Sequence, residues 1–195
     1  MSLDIIQSEI QASIDVKALV LKDKSLMQEV HDLAQSCTKC LNSGGKVIFC
    51  GNGGSFADAQ HLSAEFTSRF LFDRPGLASM TLGTNSSAMS AIGNDYGYEN
   101  VFSREIEAIA NHNDILIAIT TSGNSANIIN AIKAAKNKNM SIMVFTGESN
   151  GKLDDHFNII NIPSSQTARI QECHILIGHI ICGIIEENIF GNSKK

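Results

Sequence analysis

The sequence predicts an α/β fold: a parallel five-stranded sheet covered by helices on both faces, with two further helices ahead of the first strand. Three observations carry this. Short apolar runs of strand length alternate with segments of helical period from Gly44 onward. Two of those runs, KVIFC-GNGGS at Lys46–Ser55 and DILIAIT-TSGNS at Asp114–Ser125, break into Gly/Ser/Thr/Asn turns that open helices. Both ends of the chain carry isoleucine-rich helical patterns with no strand signal.

In chain order, Ile5, Ile6, Ile10, Ile14, Val16, Leu19 and Leu21 mark a first helix, and Leu26, Val30, Leu33, Cys37 and Leu41 a second. Gly44-Gly45 stops it. Strands follow at Val47–Cys50, Ser79–Leu82, Ile115–Ile119, Ser141–Phe145 and Ile159–Ile162, separated by helix-like segments, as a parallel sheet requires. Gln166 to about Asn188 forms a last helix, apolar around much of its circumference through Ile170, Cys173, Ile175, Leu176, Ile177, Ile180, Ile181, Ile184 and Ile185. Such a helix needs cover on more than one side, so the terminal helices are expected to pack together, partly between subunits of a homo-oligomer. A monomer whose core uses both helices is the alternative.

With 195 residues, 43% of them hydrophobic, the chain suits one compact domain over 1–195: N-terminal helices in 1–43, the sheet core in 44–165 and the long C-terminal helix in 166–189. Charged residues make up 18% and the formal net charge is -5, which argues against a nucleic-acid-coating protein. Small anionic ligands therefore need local donors. No apolar run is read as reaching the roughly 18 residues of a membrane span. The start, MSLDIIQSEI, is acidic where a signal peptide is basic, so a soluble cytoplasmic protein is expected. The five cysteines, Cys37, Cys40, Cys50, Cys173 and Cys182, are odd in number and lie in apolar surroundings, reading as reduced thiols. Cys37-Thr-Lys-Cys40 has C-x-x-C spacing but sits inside a helical pattern without a second pair.

In Gly51-Asn52-Gly53-Gly54-Ser55 the glycines permit close backbone approach, and Ser55 is expected as N-cap of a helix starting at Phe56. The turn is neither a Walker A sequence nor G-x-G-x-x-G, so no nucleotide cofactor is indicated. The second loop, Thr120-Thr121-Ser122-Gly123-Asn124-Ser125, holds four hydroxyl residues in six. Hydroxyls and backbone N–H groups together wrap phosphate oxygens without a lysine, which accommodates the acidic balance. Each loop alone is an ordinary capped turn; two together suggest one phosphorylated ligand.

On the helix after the first loop, His61 and Glu65 are four apart and share a face. On the last helix Gln171, Glu172, His174 and His179 interrupt the isoleucine pattern, with Gln171 and His179 about 80° apart around the axis. If the helices meet, His61, Glu65, Gln171 and His179 suit an N/O site of the kind zinc accepts, or a carboxylate base facing an imidazole acid. Helix-packing histidines are the alternative for His174 and His179.

Taken together, GNGGSFADAQHLSAEF, AIGNDYGYENVFSR, ITTSGNSANIINAI and RIQECHILIGHII resemble the bacterial phosphoheptose isomerases, of the sugar-isomerase or SIS fold, from about Ile5 to about Ile185. The resemblance implies a homotetrameric, flavodoxin-like three-layer sandwich. It implies interconversion of sedoheptulose 7-phosphate and D-glycero-D-manno-heptose 7-phosphate through an enediol, the first step towards nucleotide-activated heptoses for lipopolysaccharide or capsule. It places substrate contacts at Asn52, Gly53, Gly54, Ser55, Glu65, Asn94, Asp95, Thr120, Thr121, Ser122, Ser125 and Gln171. It implies one zinc per subunit on His61, Glu65, Gln171 and His179, with Glu65 and His179 the acid/base pair. Where some relatives carry an acid before the arginine matching Arg169, this chain has Ala168, and that acid's role does not transfer. Thr120 stands where relatives often have Ser, and Phe56 where some have a polar residue. A non-catalytic SIS protein that binds the replication initiator, or a sugar-phosphate sensor, is the rival reading; it needs no joint presence of His61, Glu65, Gln171 and His179.

Overall fold

The computed structural model describes residues 2–153 and 157–191, so the outer bounds of the 1–195 unit lie outside the described residues. Two helices, α1 (Ser2–Lys22) and α2 (Lys24–Asn42), precede β1 (Val47–Cys50). Asp23 separates them and caps α2, its carboxylate accepting from the Ser25 and Leu26 amides at 3.0 Å. There follow α3 (Gly54–Thr67), β2 (Ser79–Thr81), α4 (Ser86–Tyr96), a short 3₁₀ turn (Tyr98–Asn100) and α5 (Val101–Ile109). The second half runs β3 (Ile115–Ile119), α6 (Ala126–Asn137), β4 (Ser141–Thr146), β5 (Asn158–Asn161) and α7 (Thr167–Phe190).

All strand pairs are parallel, in the order β2-β1-β3-β4-β5, the flavodoxin-like arrangement. Alternate strand residues face opposite sides. Phe49, Ile117, Phe145 and Ile160 look towards α2, α3 and α7, whereas Ile48, Leu116 and Val144 look towards α5 and α6. The five strands stand within one residue of the expected positions at either end, and near-continuous apolar runs are what a sheet buried on both faces needs.

Two sequence expectations change. The helix after the first loop begins at Gly54, not Phe56, and its N-cap is Gly53 at φ +56°, so Ser55 lies in the first turn rather than at the cap. The loop must reverse over so short a span that only a residue tolerating positive φ fits the cap position. Secondly, α7 is by length and composition apolar enough to cross a membrane, with a mean hydropathy of 1.4 over its best window. Core helices pass the same test, and this one packs on α2 and α3 while its Arg169, Glu172 and Glu186 make ion pairs with side chains of this fold. As expected, the terminal helices meet: α1 touches α7 through Ser13 and Glu172 (2.6 Å), while Ile6, Ile10 and Ile14 of α1 are more than half exposed, at 55%, 57% and 53%. The five cysteines are free and buried, and burial raises the Cys40 thiol to about 11.

Candidate active site

The chain leaves β1 towards one edge of the sheet and β3 towards the other, so the carboxyl ends of these adjacent strands flank the crevice where open α/β sheets bind ligands. Both hydroxyl-and-glycine loops emerge there. Whereas Asp23 and Asn85 side chains cap α2 and α4, neither Gly53 at the start of α3 nor Ser125 at the start of α6 makes a side-chain cap bond. Two helix N-termini thus point uncapped amides, at the positive ends of their dipoles, into one crevice, which suits an anion.

The loops are tied to each other through Asn127, which the sequence reading passed over, and Asn52, which it named only as a substrate contact. Asn52 and Asn127, in the first turn of α6 and buried, exchange two hydrogen bonds: each Nδ2 donates to the other's Oδ1 at 2.9 Å. The Tyr98 hydroxyl donates to Asn52 Oδ1 at 3.3 Å. In the second loop, buried Thr120 accepts from the Gly123 amide (3.3 Å) and Ser122 Oγ from the Asn124 amide (3.3 Å), while the Lys152 amide donates to Gly123 O (3.1 Å) and braces the loop from behind. Thr121 and Ser125 remain partly exposed.

Along α3 and α7 the second half of the site assembles. The helices pack side by side, Leu62 of α3 lying over Gly178 of α7, where a Cβ would meet the leucine side chain at about 2.5 Å. This brings His61 Nε2 to 2.9 Å from His179 Nε2 and 3.2 Å from Glu65 Oε1. One ligand atom from each of the three residues lies within 4.8 Å of the others. The ring of Phe70 stacks on His179, centroids 5.5 Å apart and planes 15° from parallel. Phe70 is itself held through its amide, which donates to Glu186 at 2.9 Å. Glu186 also takes the Leu71 amide at 2.7 Å and Arg74 Nε at 2.8 Å. Burial works to raise the pKa of Glu186, but those two amides and the Arg74 guanidinium outweigh it and hold the carboxyl below its ordinary value.

Gln171 sits eight residues before His179 and so about 12 Å along the axis, with its carboxamide against Gly54, where an added Cβ would meet its Nε2 at 2.6 Å. It therefore faces the mouth of the first loop. Asn94 and Asp95 lie exposed at the end of α4, hydrogen-bonded to each other at 2.8 Å. Asp58, three residues before His61, also escaped the sequence reading: its Oδ2 is buried without a hydrogen-bond partner, and burial raises its pKa against the lowering effect of His61. His174 is outside the site, fully buried, its Nε2 on the Thr146 carbonyl at 3.2 Å and its Nδ1 without a partner.

The nitrogen and oxygen donors of His61, Glu65 and His179 fit a zinc ion in kind, number and convergence, with a further position open. A carboxylate beside an imidazole, next to a crevice flanked by two helix N-termini, also fits proton transfer on a phosphorylated substrate.

Comparisons with known proteins agree with this fold. The SIS domain family matches residues 15–147. A phosphoheptose isomerase of Aneurinibacillus thermoaerophilus is 48% identical over 97% of this chain and 96% of its own. Among solved structures, a phosphoheptose isomerase from Francisella tularensis superposes with a TM-score of 0.91 at 36% identity, covering 96% of this chain and 99% of that one. One from Neisseria gonorrhoeae gives 0.88 at 40% identity, over 96% and 100%. The chain belongs to the phosphoheptose isomerase family of SIS-domain proteins.

Proposed function

We propose that this protein is an aldose–ketose isomerase that interconverts sedoheptulose 7-phosphate and D-glycero-D-manno-heptose 7-phosphate, an early step of heptose biosynthesis. The observation that carries the reading is the meeting of His61, Glu65 and His179 beside a crevice with two uncapped helix N-termini, in a chain nearly half identical to a phosphoheptose isomerase.

Moving the carbonyl between C1 and C2 requires removing a proton next to it, passing through a cis-enediol, and returning the proton to the neighbouring carbon. Glu65 is the base for both transfers: its side chain is 21% exposed, sheltered yet open to the crevice, and His61 orients it. His179, held by the Phe70 ring, assists ring opening and moves the hydroxyl proton. Gly53, Gly54, Ser55, Thr120, Thr121, Ser122 and Ser125 bind the 7-phosphate through amides and hydroxyls, with Asn52 and Gln171 at the rim and Asn94 and Asp95 on the sugar hydroxyls. Binding the phosphate far from the reacting carbons fixes orientation.

Zinc would be held by His61, Glu65 and His179, with Gln171 the fourth ligand that the family resemblance adds. Bound there it would supply Lewis-acid polarisation of the substrate carbonyl. Metal analysis after dialysis against micromolar zinc is expected to find one ion per chain in the wild type and a fraction of that in His61→Ala; equal content in both removes His61 from the set.

The uncovered isoleucines of α1, together with exposed Leu71 and Ile180 beside His179, support a homotetramer in which neighbouring subunits cover these faces. Sedimentation at four chain masses is expected, and a monomer at micromolar concentration would refute it.

The function is tested by incubating the protein with sedoheptulose 7-phosphate in deuterated water and following proton NMR. Formation of the aldose with deuterium at C2 is expected. No product, with binding intact, would favour the sensor reading instead.

A further inference from the structure

We propose that Asn127 is a positioning residue for the anion site: it sets which end of the Asn52 carboxamide faces the ligand and clamps the two loops to a common phosphate. A carboxamide pair that exchanges two hydrogen bonds is satisfied equally well if both groups flip together, so the pair alone does not choose an orientation. The backbone chooses. The Ile128 amide donates to Asn127 Oδ1 at 3.0 Å, which commits that atom as the oxygen. Asn127 Oδ1 must then receive Asn52 Nδ2, and Asn127 Nδ2 must donate to Asn52 Oδ1. The Tyr98 hydroxyl fills the second lone pair of Asn52 Oδ1. Asn52 is left with one N–H to give, and it stands between Gly51 and the uncapped start of α3.

Position supports the same role. Asn127 is 3% exposed, too deep to touch a ligand in the crevice, so it acts through Asn52. It belongs to the first turn of α6, two residues after Ser125, and its partner belongs to the other loop, so the pair sets the spacing between the starts of α3 and α6. Through Tyr98, and through Asn130 Nδ2 donating to the Glu99 carbonyl at 3.0 Å, the same clamp reaches the turn that follows Asn94 and Asp95. Phosphate end and sugar end thereby share one reference point.

The inference rests on the isomerase reading for the identity of the phosphate ester, and the test separates the two. The probes are inorganic phosphate, by calorimetric Kd, and sedoheptulose 7-phosphate, by KM. Asn127→Ala is expected to raise both about tenfold, with kcat changing far less, and the penalty is expected to vanish in an Asn52→Ala background. Asn127→Ser, which keeps a polar atom in the buried position, carries the same cycle should the alanine variant not fold. An undiminished penalty in the Asn52→Ala background overturns the proposal, because Asn127 then acts by another route. So does a lowered melting temperature with unchanged affinity, which marks a structural role only. A wild-type protein that binds phosphate without isomerising the heptose refutes the isomerase reading while leaving the phosphate cycle to decide this one; where phosphate binds too weakly to measure, KM decides it.

Discussion

His174 and His179 lie on one helix, five residues and about 140° apart, and the same sequence pattern announces both. One turns into the core, where Thr146 O takes its Nε2 and burial lowers its pKa to about 4. The other turns to the groove with α3, meeting His61 and Glu65 beneath the Phe70 ring. Glu65 and Glu186 repeat the contrast, the first partly open beside an imidazole and the second sealed against Arg74 and two amides. What separates the groups proposed to react from the structural ones here is which helix face carries them, and that is decided by what packs on each face.

The largest expected effect tests the reactive side. Glu65→Gln keeps size and most hydrogen bonding but cannot accept the substrate proton, so turnover should fall roughly 10³-fold with KM within a few-fold. His174→Gln, which can still donate to Thr146 O, should leave kcat/KM at pH 7.5 within a few-fold. Substantial turnover by the first variant, or a comparable loss in the second, would erase the distinction.

Much of this was legible in the sequence. Five β-rich runs separated by helical period specify a parallel sheet because each strand must be apolar on both faces, and the strands followed closely. His61 and Glu65 were readable as a pair because four residues is one helical turn. That His179 would join them depended on α3 lying against α7, which Gly178 permits by letting Leu62 approach; no local spacing encodes such a meeting. The same holds for Asn127, which reads as an ordinary first-turn residue until Asn52 is found opposite it, seventy-five positions away in the chain. Ser55 misled for the opposite reason: serine is a good local cap, but the tightness of the turn placed the cap at Gly53.

On the structural side, His174 gives stability a pH dependence of definite sign. Its native pKa of about 4 lies below the ordinary 6.5, so between those values the unfolded chain binds a proton that the folded protein refuses. Stability from this source is complete above about pH 6.5, declines by about 3 kcal/mol as pH falls towards 4, and is flat below that. Urea midpoints at pH 7.5 and 4.5 should therefore diverge less in His174→Gln than in the wild type. An unchanged slope would mean that another group titrates.

The smallest expected effect asks how much each histidine owes to its aromatic neighbour. Phe145 meets His174 tilted at 48°, as one of many contacts in a packed core, whereas Phe70 lies nearly parallel over His179 at the edge of the groove, sharing the task of holding the imidazole with His61, whose Nε2 is 2.9 Å from that of His179. Stacked aromatic pairs contribute about 1 kcal/mol beyond area burial. The backbone of Phe70 is held by Glu186 whatever its side chain, so Phe70→Leu should keep the loop in place while freeing the ring of His179. A three- to tenfold loss in kcat, with unchanged melting temperature and unchanged phosphate affinity, follows from about that energy. A fall in melting temperature without loss of kcat would instead make the stack a packing contact, of the same kind as Phe145 on His174.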